Sequence, residues 1–275
     1  MGDRAPHPNL RADLVSTLMQ RETPHMDLHG KVALVTGGAR RVGRALALGL
    51  AEQGMNIVIH YNRSEGEAAH TVAELRARGV RAELAQGNLG NPLDIEHIFV
   101  VLESAFGQVD VLVNSASTFV AGDVLETTVG DWNYVMAVNL RAPFLCSQRA
   151  ALLMLARGTP GVIINIADVA GLVPWKRYPA HSVSKAGLIM LTQVLAKSLA
   201  PDIRVNAVVP GPVLRPDSMP DDRWRRFGEM LPLQRTGRPE NVVQAALALI
   251  QNDFITGSVL TVDGGDSLHS SVDLA

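Results

Sequence analysis

The chain has 275 residues, 47% of them hydrophobic, enough to bury a sizeable core, and no Pro-, Ser- or Gly-rich linker divides its middle, so one α/β domain is expected rather than two smaller ones. A formal net charge of −2 and a pI near 6.4 lack the basic excess of a phosphate-backbone binder, which argues against nucleic acid as a partner. There is no apolar run of about 18 residues to span a membrane, and the one cysteine, Cys146, cannot form an internal disulfide, which fits a reducing cytoplasm.

Residues 1–29 read as an N-terminal extension. They lack the apolar core of a signal peptide and mix acids with arginines. Leu10, Leu14 and Leu18 recur at i, i+4 and i+8, as in a short amphipathic helix that docks on the domain or on a neighbouring subunit; a frayed tail is the alternative.

From Lys31 onward, short β-branched runs alternate with helix-length segments. The strand candidates are "KVALVT", "MNIVIHY", "RAELAQ", "VDVLVN", "GVIINIA", "IRVNAVV" and "SVLTVD", apolar throughout as in strands covered on both faces. Helix candidates include "RALALGLAEQG", "SEGEAAHTVAELRARG", one unbroken segment from Asp131 to Gly158, and "HSVSKAGLIMLTQVLAKSL". The alternation predicts a doubly wound, parallel seven-stranded sheet with helices on both faces, and ligands of such sheets bind at the carboxyl ends of the strands. Cys146, in "PFLCSQRAALLML", reads as a buried helical thiol rather than a nucleophile.

After the first strand, "VTGGARRVGRAL" opens a helix. Gly37 and Gly43 fall where backbone approaches a pyrophosphate and where a helix N-terminus favours an anion. Arg40 and Arg41 beside that turn imply either additional negative charge to neutralise or two solvated cations. The end of the second strand bears on the choice of cofactor. An NAD site carries an acid there for the ribose 2′-hydroxyl, whereas a 2′-phosphate needs the acid absent and a cation present. Asn62, Arg63 and Ser64 offer no acid and one guanidinium, so the expected cofactor is NADPH, with Arg63 as a plain surface residue the bland alternative.

These landmarks, with "NLGN", "NSAS", Asn139 in "VNLRAPF", "INIAD", Lys185, "RVNAVVPGP" and "ITGSVLTVDGG", resemble the short-chain dehydrogenases/reductases from Lys31 to about Leu268. The arginine in place of the loop's middle glycine, "HYNRS", "NSASTF", Asp168 in place of a serine, and "VLRPDSMP" are closest to the pteridine reductase branch. The resemblance implies a single-domain Rossmann fold over residues 30–275 and a homotetramer built on long apolar helices. It requires no metal. Cofactor contacts are implied for Gly37, Arg40, Arg41, Val42, Gly43, Asn62, Arg63, Ser64, Asn88, Leu89, Ser115, Ala116, Ser117, Lys185, Pro210 and Gly211. In particular, Arg40, Arg63 and Ser64 hold the 2′-phosphate, Asn88 and Leu89 line the adenine side, and residues 115–117 face ribose or nicotinamide. Phe119 is implied to stack on a flat pterin ring, with burial in the core as the rival reading. Residues 212–230, rich in Pro, Asp and Arg, are expected to form a mobile substrate lid.

One departure stands out in "YPAHSVSKAG". The family places a tyrosine four residues before its lysine as the proton donor; here that position holds His181. Four residues preserve the helical face shared with Lys185. The chemistry differs, because imidazole titrates near 6.5 and a neighbouring ammonium disfavours its charged form. Asp168, placed beside position 181 by the resemblance, would favour the imidazolium and orient the ring, making Asp168, His181 and Lys185 a candidate acid relay. Asn139 would link this relay to solvent through a water. Pro179 marks the first helical turn, which leaves Tyr178 in the preceding loop as a pocket residue. The expected function is an NADPH-dependent reductase of a pterin-like or other conjugated cyclic small molecule. A carbonyl or acyl reductase, and a weakly active NADPH-binding sensor or assembly protein in which His181 only fills space, are the alternatives.

Overall fold

Seven strands hydrogen-bond in parallel in the order β3-β2-β1-β4-β5-β6-β7, in a computed structural model that describes residues 26–268. They are β1 (Val32–Thr36), β2 (Asn56–Tyr61), β3 (Ala82–Gln86), β4 (Val111–Asn114), β5 (Gly161–Ile166), β6 (Ile203–Pro210) and β7 (Val259–Val262). All seven fall on the predicted runs. β1, β4 and β5 are buried at every position, because helices cover both faces and leave no solvent side that would call for alternation.

The helices are α1 (Arg41–Glu52), α2 (Glu65–Ala77), α3 (Pro92–Phe106), α4 (Val129–Met136), α5 (Ala142–Arg157), α6 (Pro179–Leu199), α7 (Asp221–Met230) and α8 (Pro239–Gln251). Two core clusters sit on opposite sides of the sheet. One joins Leu46 and Leu50 of α1 and Val242 and Leu249 of α8 to β1 and β2; the other joins Phe99 of α3, Cys146 and Met154 of α5 and Leu195 of α6 to β4 and β5. Cys146 is buried as expected, and burial pushes its thiol up to about 12. The core also reaches back before Lys31, since Leu28 is buried within the first cluster. Leu10, Leu14 and Leu18 lie outside the described residues.

Local chemistry sets the helix ends. Asn91 accepts a hydrogen bond from the Leu93 N–H at the start of α3, Pro92 supplies a fixed φ at the first position, and Gly107 closes the helix at φ 66°. Thr128 caps α4 through the Asp131 N–H.

The segment from 131 to 158, read from sequence as one helix, is interrupted. Residues Ala137–Arg141 form a π-helical stretch between α4 and α5. A wider turn adds a residue and rotates the face that α5 presents, a change that hydrophobic periodicity does not register. Asn139 sits inside that stretch, fully buried.

Candidate active site

The carboxyl ends of β1, β2, β4 and β5 bring together most of the polar residues singled out in the sequence. At the end of β1 the chain turns through Gly37, whose φ of 65° lies in the left-handed region. A Cβ there would stand 2.9 Å from the Cα of Ala116, so only glycine lets the two turns touch. Gly43 is equally constrained, its notional Cβ falling 2.2 Å from the carbonyl oxygen of Gly37.

Arg41, the first residue of α1, has a φ of 55°, in the same left-handed region. A non-glycine residue there costs roughly 1 kcal/mol. Its guanidinium reaches the carbonyl oxygen of Arg215 at 3.5 Å and Asp217 at 4.0 Å. The glycine turn is thus tied to residues 212–230, which run as a loop into α7. By contrast, the side chains of Arg40 and Arg63 are exposed and have no hydrogen-bond or ion-pair partner among the described residues. Ser64 occupies the N-cap of α2, yet its hydroxyl makes no capping bond. Asn88 is exposed, whereas Leu89 is buried in the core beneath the sheet, so its side chain does not line an open adenine face.

At the end of β4, Thr36 Oγ1 accepts from the N–H groups of both Ser115 and Ala116, at 3.0 and 3.2 Å, and fixes the exit of the strand. Sequence reading missed this residue, although it stands directly before Gly37. Below the site, Asn114 donates to Asn165 at 2.9 Å, and Asn165 donates to Thr192 of α6 at the same distance. This buried polar chain locks β4, β5 and α6 together.

His181 lies in the first turns of α6 and is fully buried. Its Nδ1 is 3.2 Å from the side-chain nitrogen of Asn139 and 3.3 Å from the carbonyl oxygen of Thr118. A donor and an acceptor therefore both face this nitrogen. The neutral ring can accept from Asn139, and a ring protonated on Nδ1 can donate to Thr118. Asn139 also accepts from the Thr118 N–H at 2.8 Å and donates to the Thr118 carbonyl at 2.9 Å. Asn139 thus touches the imidazole directly, carried inward by the π-helical stretch.

The other ring nitrogen differs. Nε2 has no hydrogen-bond partner among the described residues, and the nearest carboxylate oxygen, of Asp168, is 3.7 Å away. That is an ion-pair distance beyond hydrogen-bond range. Asp168 uses its other oxygen to accept from the Ala170 N–H at 2.8 Å, capping a short 3-10 turn. The expectation that Asp168 orients the ring is corrected accordingly: contacts at Nδ1 and the face of Phe119 hold it.

Phe119 stacks on His181 with 3.9 Å between ring centroids and 24° between planes. It is 51% exposed, which excludes the core reading. Trp175 lies 6.0 Å from the imidazole at 25°, and Tyr178, the N-cap residue of α6, meets Phe119 edge-on at 6.2 Å. Trp175 was not foreseen, because its sequence position in a loop gives no periodic signal.

Lys185 is buried one turn on, and its Nζ donates to the carbonyl oxygen of Ile166 at 2.8 Å, at the end of β5. The shared helical face does not produce a His181–Lys185 hydrogen bond. Burial pushes the ammonium down to about 8, against the opposing attraction of the Asp168 carboxylate. Pro210 ends β6, and the N–H of the following Gly211 donates to the Val262 carbonyl at 3.0 Å. Among the described residues no cluster of three or more His, Cys, Asp or Glu side chains is placed to hold a metal ion, and no helix is long and apolar enough to cross a membrane.

Residues 37–267 match the family model described as enoyl-(acyl carrier protein) reductase. The chain is 36% identical to 3beta-hydroxysteroid dehydrogenase 1 of Eggerthella lenta, over 88% of this chain and 96% of that one. It is also 36% identical to a 3-oxoacyl-[acyl-carrier-protein] reductase of Synechocystis, over 86% of this chain and 97% of that one. The crystal structure of FolM alternative dihydrofolate reductase 1 from Brucella canis, complexed with NADP, superposes with a TM-score of 0.82 at 30% identity, covering 90% of this chain and 97% of the other. With its parallel sheet, its glycine turn and its match to that family model over most of its length, the chain belongs to the short-chain dehydrogenase/reductase family of oxidoreductases.

Proposed function

We propose that the protein is an NADPH-dependent reductase that reduces a pterin-like or related conjugated cyclic substrate. The observation that carries this reading is the half-exposed phenyl ring of Phe119 lying flat on the imidazole of His181, with Trp175 and Tyr178 beside it. Such a mouth favours a planar ring, since offset stacking contributes about 0.5–1.5 kcal/mol beyond simple burial. The superposition on a reductase of that kind supports the same substrate class.

The residues present fit the cofactor. Helix α1 has no side-chain cap at Arg40, so its first-turn N–H groups are available to a pyrophosphate. Arg40, Arg63 and the uncapped hydroxyl of Ser64 would hold the 2′-phosphate, with Asn62 and Asn88 toward the adenine. Val42 and Gly43 would offer main-chain donors, and Ser115 to Ser117, Lys185, Pro210 and Gly211 would face the nicotinamide end. When bound, NADPH supplies the hydride.

The protein supplies the proton and the geometry. His181 stands where the family's tyrosine stands, and its unpartnered Nε2 is the atom that would deliver a proton to the reduced bond. Asp168 lies 3.7 Å from that nitrogen, and Thr118 and Asn139 offer an acceptor and a donor to Nδ1. Lys185, fastened to Ile166, positions the ribose. The segment 212–230 would close over the substrate, linked to the phosphate turn through Arg41. Exposed Phe144, Leu152 and Leu155 on α5, with Val183, Met190 and Val194 on α6, support a homotetramer; a cytoplasmic setting belongs to the same reading.

A second reading, a 3-oxoacyl-type carbonyl reductase, is favoured by the names of several relatives. Consumption of NADPH with a dihydropterin, set against a panel of ketones and 3-oxoacyl thioesters, separates the two. Turnover confined to the ketones and thioesters would overturn the pterin reading.

A further inference from the structure

His60, the penultimate residue of β2, is buried, and both of its ring nitrogens are engaged. The Gly37 N–H donates to its Nδ1 at 3.1 Å, and its Nε2 lies 3.0 Å from the carbonyl oxygen of Gly87. An acceptor at Nδ1 and a donor at Nε2 define one neutral tautomer. Burial acts in the same direction, pushing the ring's pKa down to about 4. The main chain of the same residue contributes as well, since the Gly38 N–H donates to the His60 carbonyl at 3.1 Å.

Two consecutive N–H groups of the glycine turn are thus taken by a single residue, one by its ring and one by its backbone. Neither amide is left to face a phosphate. The donors open to an anion are those of the first turn of α1, whose direction depends on how Gly37 and Gly38 are held. On its other side the ring fixes Gly87, the residue before Asn88, while the Gly87 N–H donates to Tyr61 at 3.0 Å. The end of β1, the end of β2 and the turn after β3 therefore share one imidazole.

We infer that His60 is a positioning residue for the dinucleotide, a neutral bridge whose two ring nitrogens set the phosphate turn at Gly37 and the adenine-side turn at Gly87 at a fixed separation. This rests on the cofactor reading above. His60 touches no part of the cofactor; it acts through the backbone of two glycines.

The test compares His60→Asn, His60→Gln and His60→Phe in the full chain. Asparagine places an amide oxygen close to the position of Nδ1 and keeps an acceptor for Gly37. Glutamine places its amide nearer the position of Nε2 and keeps a donor for Gly87. Phenylalanine retains the ring and loses both bonds. Two quantities are read: the NADPH dissociation constant by fluorescence titration, and amide hydrogen exchange at Gly37 and Gly38 in cofactor-free protein.

His60→Asn and His60→Gln, each cutting one side of the bridge, should both weaken NADPH by up to about tenfold, as expected for one lost hydrogen bond, and His60→Phe should weaken it further; the Gly37 amide should stay protected in His60→Asn and be released in His60→Gln and His60→Phe. Parent-like affinity in the asparagine variant would show that the Gly87 bond does not matter, and equal release of the Gly37 amide in the asparagine and glutamine variants would mark a generic packing role; either result would overturn the inference. So would parent-like affinity in a folded His60→Phe. If the parent itself does not bind NADPH, the cofactor reading fails, and the exchange pattern at Gly37, which needs no cofactor, still decides whether His60 holds the turn.

Discussion

The phenyl ring of Phe119 covers the imidazole of His181 at a centroid distance of 3.9 Å, so the buried ring proposed to carry the proton has an aromatic roof that is itself half open to solvent. Because that roof lies outside the core, it can be removed without opening a cavity in the fold. Phe119→Ala should weaken a planar heterocycle by about 1–3 kcal/mol, stacking and burial together, and leave NADPH affinity and the melting temperature nearly unchanged. Calorimetric titration of substrate and of cofactor checks this; an unfolded variant, or unchanged substrate affinity, would contradict it.

The proposed proton-donor role of His181 should be separable from cofactor binding, since Lys185 is anchored independently on Ile166. His181→Ala should lose most of the hydride-transfer rate, by roughly 10²-fold or more, with NADPH still bound. His181→Tyr should retain or raise the rate by restoring a phenol four residues before the lysine. Single-turnover absorbance at 340 nm is the measurement. If only the tyrosine variant turns over, the natural protein binds cofactor without reducing substrate; if the alanine variant matches the parent, His181 is not the acid.

Arg63 has no partner among the described residues, and no acid stands with it at the end of β2. NADPH should bind at least about tenfold more tightly than NADH, since charge-assisted contacts to a 2′-phosphate contribute about 1.5–3 kcal/mol each. Arg63→Ala should remove much of that preference. Paired titrations with the two cofactors suffice, and equal affinities in the parent would remove the argument.

Lys185 carries a pH signature in stability. Its folded pKa, about 8, lies below the ordinary 10.5, so between those values the unfolded chain binds more protons than the folded one and stability rises with pH. Below about 8 the cost of burying the ammonium is present in full, of the order of 3 kcal/mol. Lys185→Met removes that cost together with the bond to Ile166. The stability of the parent relative to this variant should therefore climb from pH 8 to 10 in urea titrations. A constant difference across that range would show that the buried amine does not titrate there.

Much of this protein was legible in its sequence because the signals are local. Apolar runs such as "VALVT" and "GVIINI" report burial on both faces wherever they sit, and Pro179 starts a helix through its own fixed φ. Gly37 and Gly43 marked a turn that tolerates no side chain, and the missing acid after β2 could be read from three adjacent residues. The details of the site depended on contacts between segments far apart in the chain. Hydrophobic spacing does not distinguish an α-helical from a π-helical turn, so the inward placement of Asn139 against His181 could not be read from "VNLRAPF". Trp175 and Phe119 are 56 positions apart and both reach His181 only because β4 and β5 end side by side in the sheet. For the same reason Asp168 could be placed near His181 but not measured against it: the loop after β5 spends one carboxylate oxygen on capping its own turn and holds the other at 3.7 Å, a balance that exists only once the strand, the turn and α6 are packed together.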